Sequence, residues 1–228
     1  MLLALDTAGP YCAVALARAS HDGPEILVKA AERIVRGHAE RLMPMIDAAL
    51  DEAGLAFGDL ERIAVTTGPG SFTGVRVGVA AARALALALD IPCVGIGSLD
   101  ALAIDAVGSH DHGAVVALLD ARRDEVYASV HDVKANAVLM EPSVLRVEEL
   151  ARQLRSAPKP LILTGSAAPL LAAVLDDSAV QIFATPEAPQ IASVAVLGLR
   201  AEAGAPPAPV YLRGADAKPQ AGKAVARA

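Results

Sequence analysis

One stretch of the sequence decides the fold: TTGPGSFTGVRVG, at residues 66–78. The apolar and β-branched residues that lead into it predict a strand at 62–67, and its glycines and proline predict a tight turn. The alanine-rich residues that follow predict a long helix at 74–89. A strand, a glycine-rich turn and a helix in succession are typical of α/β proteins, in which helices pack on a sheet.

This turn has two interpretations. Its backbone N–H groups and the positive end of the following helix are suited to hold a phosphate or a carboxylate. Alternatively, the glycines only let the chain turn, since the sequence has neither a Walker P-loop nor a dinucleotide fingerprint. The residues that would form an anion or nucleotide site are Asp6, Gly68, Gly70, Ser71 and Thr73.

Apolar periodicity elsewhere predicts a mixed sheet flanked by helices, followed by a weaker repeat of the same order. The first half contains predicted strands at 2–5, 12–18, 25–32, 62–67 and 93–96, and predicted helices at 38–53, 74–89 and 98–106. The second half contains predicted strands at 114–119, 126–133, 138–140, 161–164 and 180–183, and predicted helices at 147–154, 168–175 and 190–203. We therefore predict a first half at 1–108, a smaller second half at 109–213 and a mobile tail at 214–228.

The composition and charge of the chain limit the kinds of function that it can have. The chain has 228 residues, of which 54% are hydrophobic and only 3% aromatic, so the core must be built from small aliphatic side chains. The formal net charge of −6 disfavours direct binding of a polyanion such as tRNA. The N-terminus has no basic region, and the longest apolar run, 77–97, is interrupted by charges and a proline. We expect a cytoplasmic protein without membrane contact.

The groups needed for catalysis do not occur in recognisable patterns. The five histidines form no H-x-x-x-H or H-E-x-x-H pair, and the two cysteines, Cys12 and Cys93, are isolated in apolar runs. Ser71 lacks the G-x-S-x-G context of a nucleophile. The sequence therefore predicts no catalytic residue, no metal site and no cofactor.

The segment 63–78, followed by ARALA at 82–86, resembles the TsaB (YeaZ) family, the non-catalytic partner in bacterial tRNA threonylcarbamoyladenosine biosynthesis. The resemblance extends over nearly the whole chain. Further matching segments are LALDT at 3–7, 38–44, GSLDAL at 97–102, LDARRDEVY at 119–127 and PVYLR at 209–213. The resemblance implies an actin-like ATPase (ASKHA) fold with two ribonuclease H-like halves.

The resemblance also implies a partner. The helices at 38–53 and 74–89 would bind a homologue of TsaD, the threonylcarbamoyl transferase that acts on adenosine 37 of tRNAs reading codons that begin with A. The ATPase TsaE would join a larger complex, and tRNA would be contacted only indirectly. The expected partner-binding residues are His38, Arg41, Leu42, Met45, Ile46, Ala49, Gly74, Val75, Gly78, Val79 and Ala82.

Three departures separate the chain from active relatives. Ser98 and Leu102 stand where TsaD carries an H-x-x-x-H metal pair, and neither can replace an imidazole ligand. Arg122 stands where actin-like ATPases have the glycine of a phosphate-binding Asp-x-Gly hairpin. Ala8 replaces a serine hydroxyl that is common in the family. These substitutions favour a subunit that does not catalyse a reaction itself.

Two other hypotheses stay open at this stage. The first is an enzyme, either an actin-like ATP-binding enzyme or a metalloenzyme of the glycoprotease type, for which Asp6 and the glycine-rich turn are the motivation. The second is a module that forms a homodimer through its exposed helices when no partner is present.

Overall fold

The computed structural model describes residues 1–34, 36–175 and 178–213. Within these ranges the chain forms ten β-strands, arranged in two five-stranded sheets, and six α-helices. The tail predicted at 214–228 lies outside the described residues.

The first sheet is built from the N-terminal part of the chain, in the order β3-β2-β1-β4-β5. Its strands are β1 (Leu2–Asp6), β2 (Tyr11–Ser20), β3 (Gly23–Arg33), β4 (Arg62–Gly68) and β5 (Cys93–Gly97). The strands β1, β2 and β3 pair antiparallel, whereas β4 pairs parallel with both β1 and β5. The five predicted strands of this half are confirmed, with boundaries that differ by at most two residues.

The second sheet repeats this arrangement. Its strands are β6 (Ala114–Arg122), β7 (Glu125–Asp132), β8 (Ala137–Arg146), β9 (Leu161–Thr164) and β10 (Val180–Ala184). They lie in the order β8-β7-β6-β9-β10, with antiparallel pairing on the β7 side of β6 and parallel pairing on the β9 side. The same order and directions in both sheets confirm the predicted two-lobed α/β fold.

Three helices cover the first sheet. On one face lie α1 (His38–Ala53) and α2 (Phe72–Leu89), and they enclose the core around Leu3, Leu5 and Val65. The opposite face is covered by α6 (Ile191–Arg200), which packs on alanines such as Ala4 and Ala64. Gly198 shows how close this packing is, because a Cβ added there would lie 2.4 Å from the Cβ of Ala64.

The helices that follow each sheet cross to the other one. After the first sheet, α3 (Ser98–Gly108) packs Leu99, Leu102 and Ala103 against strands of the second sheet. After the second sheet, α6 returns to the first. Two shorter helices, α4 (Val147–Gln153) and α5 (Ala168–Ala172), cover the other face of the second sheet. The boundary proposed at residue 108 thus separates the strands of the two sheets, while α3 and α6 tie the lobes together.

Some predicted boundaries were wrong. The helix α2 begins at Phe72, because the side chain of Ser71 accepts a hydrogen bond from the N–H of Gly74 and caps it. Gly97, not Ser98, caps α3. The strand β8 has ten residues where three were predicted, because its side chains are mostly exposed or half-buried at the sheet edge and give little apolar signal.

The helix α2 is long and apolar enough to cross a membrane by length and composition alone, with 18 residues and a mean hydropathy of 1.5. This differs from the prediction that no such segment occurs. In the folded chain, one face of α2 is buried on the first sheet, where Val75, Val79 and Ala86 belong to the core. The apolar composition of α2 therefore reflects its place as a core helix with an additional apolar outer face.

Candidate functional site

A cleft of about 1180 Å³ lies between the two lobes. Its first wall is formed by the β1–β2 turn, the start of α2 and His38 of α1. Its second wall is formed by the β6–β7 turn around Asp120 and Arg122, together with Tyr127. The chain from Val210 to Arg213 closes one side.

The glycine-rich turn fits against the β1–β2 turn. The N–H of Ser71 donates to the carbonyl oxygen of Ala8 over 2.7 Å, and the hydroxyl of Thr7 donates to the carbonyl oxygen of Gly74 over 2.7 Å. A Cβ on Gly70 would lie 2.3 Å from the oxygen of Ala8, and one on Gly74 would lie 2.0 Å from the oxygen of Thr7. These glycines are therefore required by backbone packing within the chain.

Asp6 lies beneath this turn and is only 1% exposed. Its Oδ1 accepts hydrogen bonds from the N–H of Ala8 over 2.8 Å and from the hydroxyl of Thr66 over 2.5 Å. Burial raises the pKa of Asp6, and the two hydrogen bonds and His38 oppose that rise. The carboxyl group thus organises the β1–β2 turn.

The structure only partly assembles the predicted anion site. Gly70 and Ser71 line the cleft. Asp6 and Gly68 are buried below it, and Thr73 is exposed on α2 without lining it. Anion binding at this turn therefore stays a prediction, with Gly70 and Ser71 as its accessible residues.

Most of the residues predicted to bind a partner are buried inside this chain. Leu42, Met45, Ile46 and Ala49 of α1 pack in the first core, as do Val75, Val79 and Ala82 of α2. Gly74 and Gly78 are also buried, and a Cβ on Gly78 would lie 2.5 Å from Oγ1 of Thr7. The chain's own sheet and its β1–β2 turn cover that face of both helices. Partner binding by these nine residues stays a prediction.

Of the other two predicted partner residues, His38 is half-buried and its Nε2 lies 3.3 Å from the carbonyl oxygen of Gly9. Arg41 is exposed and its Nε donates to Glu32 of β3 over 2.6 Å. Both residues thus contact the edge of the first lobe near the cleft.

The outer faces of α1 and α2 are exposed and carry small or apolar residues. Leu87 of α2 is 84% exposed, a larger fraction than for any other large hydrophobic residue in the described ranges. The apolar or small exposed residues of the pair include Met43, Pro44, Ala48, Ala80, Ala84, Leu87 and Ala88. Acidic residues of α1 border them, including Asp47 and Asp51. We call this surface the outer helix face.

The structure shows the surroundings of the residues near α3 and β6 that differ from those expected in active relatives. Ser98 and Leu102 are buried at the start of α3, and Oγ of Ser98 has no hydrogen-bond partner among the described residues. Across the described ranges, no group of three or more His, Cys, Asp or Glu side chains is placed to hold a metal ion. Oδ1 of Asp120 accepts a hydrogen bond from the N–H of Arg122 over 2.6 Å, so it supports its own turn.

Comparison with known proteins identifies the family of this chain. The model of the family "TsaD: tRNA N6-adenosine threonylcarbamoyltransferase" matches residues 30–213. The tRNA threonylcarbamoyladenosine biosynthesis protein TsaB of Bacillus subtilis is 31% identical over 77% of this chain and 75% of its own length. The chain belongs to the TsaB (YeaZ) family. The corresponding TsaB of Haemophilus influenzae is 43% identical over 56% of this chain and 52% of its own length.

Solved structures agree with this TsaB-family assignment. YeaZ from Pseudomonas aeruginosa has a TM-score of 0.71 and 31% identity, covering 92% of this chain and 99% of that chain. A second Pseudomonas aeruginosa structure, described as an uncharacterized protein with similarity to peptidase YEAZ, has a TM-score of 0.73, 31% identity and coverage of 93% and 99%.

In this TsaB-family chain the structure also reveals site residues that the sequence analysis did not assign. The rings of Tyr211 and Phe72 are in tilted contact, with centroids 5.3 Å apart, and the guanidinium of Arg76 lies 3.6 Å from the Phe72 centroid. Arg213 donates to the carbonyl oxygen of Ala121 over 2.8 Å. The only sequence signal was the PVYLR segment at 209–213, which resembles the TsaB family but carries no local chemical pattern.

Proposed function

We propose that this chain is the non-catalytic partner and activator of a TsaD-type threonylcarbamoyl transferase. The transferase would form N6-threonylcarbamoyladenosine at position 37 of tRNAs that read codons beginning with A. In this proposal the chain works in the cytoplasm, TsaE joins a larger complex, and tRNA is bound by the other subunits. Membership of the TsaB family and the TsaD-type match at residues 30–213 support the assignment.

The outer helix face is the observation that carries this proposal. Leu87 projects from α2 with 84% of its surface exposed, and three alanines of α2 beside it leave its backbone open to close approach. Burying a leucine side chain contributes roughly 1.5–3 kcal/mol of favourable free energy. An exposed leucine does not provide this free energy. A helix pair of the partner that packs on this face would recover that free energy.

Charge on the outer helix face constrains the partner. The exposed side of α1 carries Glu40, Asp47, Asp51 and Glu52. Like charges facing each other across an interface are costly, so the partner helices must present basic or neutral residues opposite α1. The net charge of −6 also fits a subunit whose binding surface faces a protein and leaves tRNA to its partner.

The cleft supports the non-catalytic part of the proposal. Asp6, at the end of β1, is buried, and its Oδ1 accepts hydrogen bonds from Ala8 and Thr66. Ser98 and Leu102 are inside the protein and neither offers a strong metal ligand. An ATP-binding enzyme or a glycoprotease-like metalloenzyme would need such groups to be free in the cleft, and these two alternatives are not favoured.

The test is association with the cognate TsaD homologue. Leu87→Glu places a charge on the outer helix face, near the C-terminal end of α2, and we expect the dissociation constant to rise at least tenfold. Leu170→Glu is the matched control, because Leu170 is 49% exposed on α5 of the second lobe. If both variants bind with equally reduced affinity, or if neither has a reduced affinity, the proposed surface is contradicted.

A cellular measurement tests the reaction. Depletion of this protein should remove threonylcarbamoyladenosine from hydrolysed tRNA, and the Leu170→Glu variant should restore it whereas Leu87→Glu should not. An isolated subunit that turned over ATP or cleaved a peptide would contradict the non-catalytic role. The same outer helix face would mediate a homodimer in the absence of partner, so Leu87→Glu should also abolish any self-association.

A further inference from the structure

The chain from Pro207 to Arg213 forms a strap that runs from the first lobe to the second. Pro207 is buried beside β5, where it lies 3.0 Å from the position of a Cβ on Gly95. The N–H of Val210 then donates to the carbonyl oxygen of Thr67 over 2.8 Å, at the end of β4. The strap therefore begins by extending along the first sheet.

The strap next contacts the beginning of α2. The hydroxyl of Tyr211 accepts a hydrogen bond from Nε of Arg76 over 2.7 Å, and its ring contacts that of Phe72 in a tilted arrangement. Phe72 and Arg76 are four residues apart on α2, and Ala80 continues the same ridge into the outer helix face. The strap thus fixes the residues that lie directly before the outer helix face.

The last described residue of the strap reaches the second lobe. Arg213 donates to the carbonyl oxygen of Ala121 over 2.8 Å and forms an ion pair with Glu125. These two residues flank the β6–β7 turn, in which Arg122, Arg123 and Asp124 all have positive φ, at 63°, 57° and 59°. Three consecutive non-glycine residues in this region are strained, and surrounding contacts must hold them there.

We propose that Tyr211 and Arg213 are positioning residues, which tie the β6–β7 turn of the second lobe to the start of the partner-binding helix α2. This inference rests on the proposed function, because it makes affinity for the TsaD homologue depend on contacts outside the outer helix face. The affinity of a partner that packs on α2 then depends on the separation of the lobes, because Arg76, Tyr211 and Arg213 link the second lobe to α2.

The experiment compares Tyr211→Phe, Arg213→Gln and the control Arg200→Gln, which removes an exposed charge from the last turn of α6. Hydrogen exchange of the full chain reports on the strap through the amide of Val210. We expect Arg213→Gln to accelerate exchange of this amide at least tenfold, although the substitution lies three residues away. Tyr211→Phe removes only the hydroxyl and should accelerate it about threefold or more. Arg200→Gln should leave it unchanged.

The second readout is the dissociation constant for the TsaD homologue. We expect Arg213→Gln and Tyr211→Phe each to raise it at least threefold, with a combined effect smaller than the product of the two. An unchanged Val210 amide or an unchanged affinity in both variants overturns the inference. If the wild-type chain itself does not bind, the proposed function fails as well, and this result is distinguishable from binding that is insensitive to the strap.

Discussion

The hydroxyl of Thr7 donates a hydrogen bond to the carbonyl oxygen of Gly74 over 2.7 Å, across 67 residues of sequence. This contact holds the first turn of α2 on the β1–β2 turn. It also explains the spacing of Gly70, Gly74 and Gly78, because an added Cβ at each of them would meet Thr7 or Ala8 within 2.5 Å.

Gly74→Ala should therefore destabilise the protein. Overpacking of a close backbone contact typically costs about 1–3 kcal/mol, and the oxygen of Thr7 is backbone, which cannot move aside easily. Gly108→Ala is the control, since a Cβ there meets nothing within 4 Å in the last residue of α3. It should be neutral or stabilise by about 0.5–1 kcal/mol. Urea denaturation measures both changes, and equal stabilities of the two variants would show that Gly74 does not limit the packing.

Asp6 should make stability depend on pH. Its folded-state pKa is raised by burial, so the folded state binds a proton more readily than the unfolded state does. Stability from this group is present at low pH and is lost as the pH rises from 3.8, the ordinary pKa of an aspartate, through the higher pKa of the folded state. Asp6→Asn keeps an acceptor for Ala8 and Thr66 without this titration.

The difference in unfolding free energy between wild type and Asp6→Asn should consequently shift in favour of the variant as the pH rises from 4 to 8. Denaturant curves of both proteins at each pH give this difference and cancel the other titrating groups. A difference that shifts in favour of the wild type would mean that the carboxylate is stabilised by its hydrogen bonds more than burial disfavours it.

Both cysteines should react slowly with alkylating reagents in the folded protein. Burial is the main cause that raises the pKa of Cys12 and of Cys93, each to about 11. Roughly one thiol in a thousand is then ionised at pH 8, and the thiolate is the reactive form. Mass spectrometry after iodoacetamide treatment should find both thiols largely unmodified until denaturant is added. Rapid native alkylation of Cys12 would contradict its complete burial.

Much of the fold follows from local sequence signals. The periodicity of α1 and the apolar runs of β1, β4 and β9 match the structure within two residues because their burial is regular. The full length of β8 and the crossing of α3 and α6 were not predicted. Edge strands show weak alternation, and the sheet on which a helix packs is decided by contacts distant in sequence.

The partner residues predicted from the sequence and the outer helix face lie on opposite sides of the same two helices, α1 and α2. Periodicity selected the buried stripe of α1, which includes Leu42 and Ile46, because an apolar stripe is the strongest signal on a helix. The exposed alanines and Leu87 form the opposite side, and sequence alone does not distinguish a partner face from an ordinary surface. The contacts of Tyr211 and Arg213 depend on the return of the chain to both lobes.

The most direct test of the central claim is titration of this chain with its TsaD homologue by isothermal calorimetry, using wild type, Leu87→Glu and Leu170→Glu. The account predicts one-to-one binding for wild type and Leu170→Glu, with affinity reduced at least tenfold for Leu87→Glu. Full-strength binding by Leu87→Glu, or no binding by a folded wild-type chain, would contradict it.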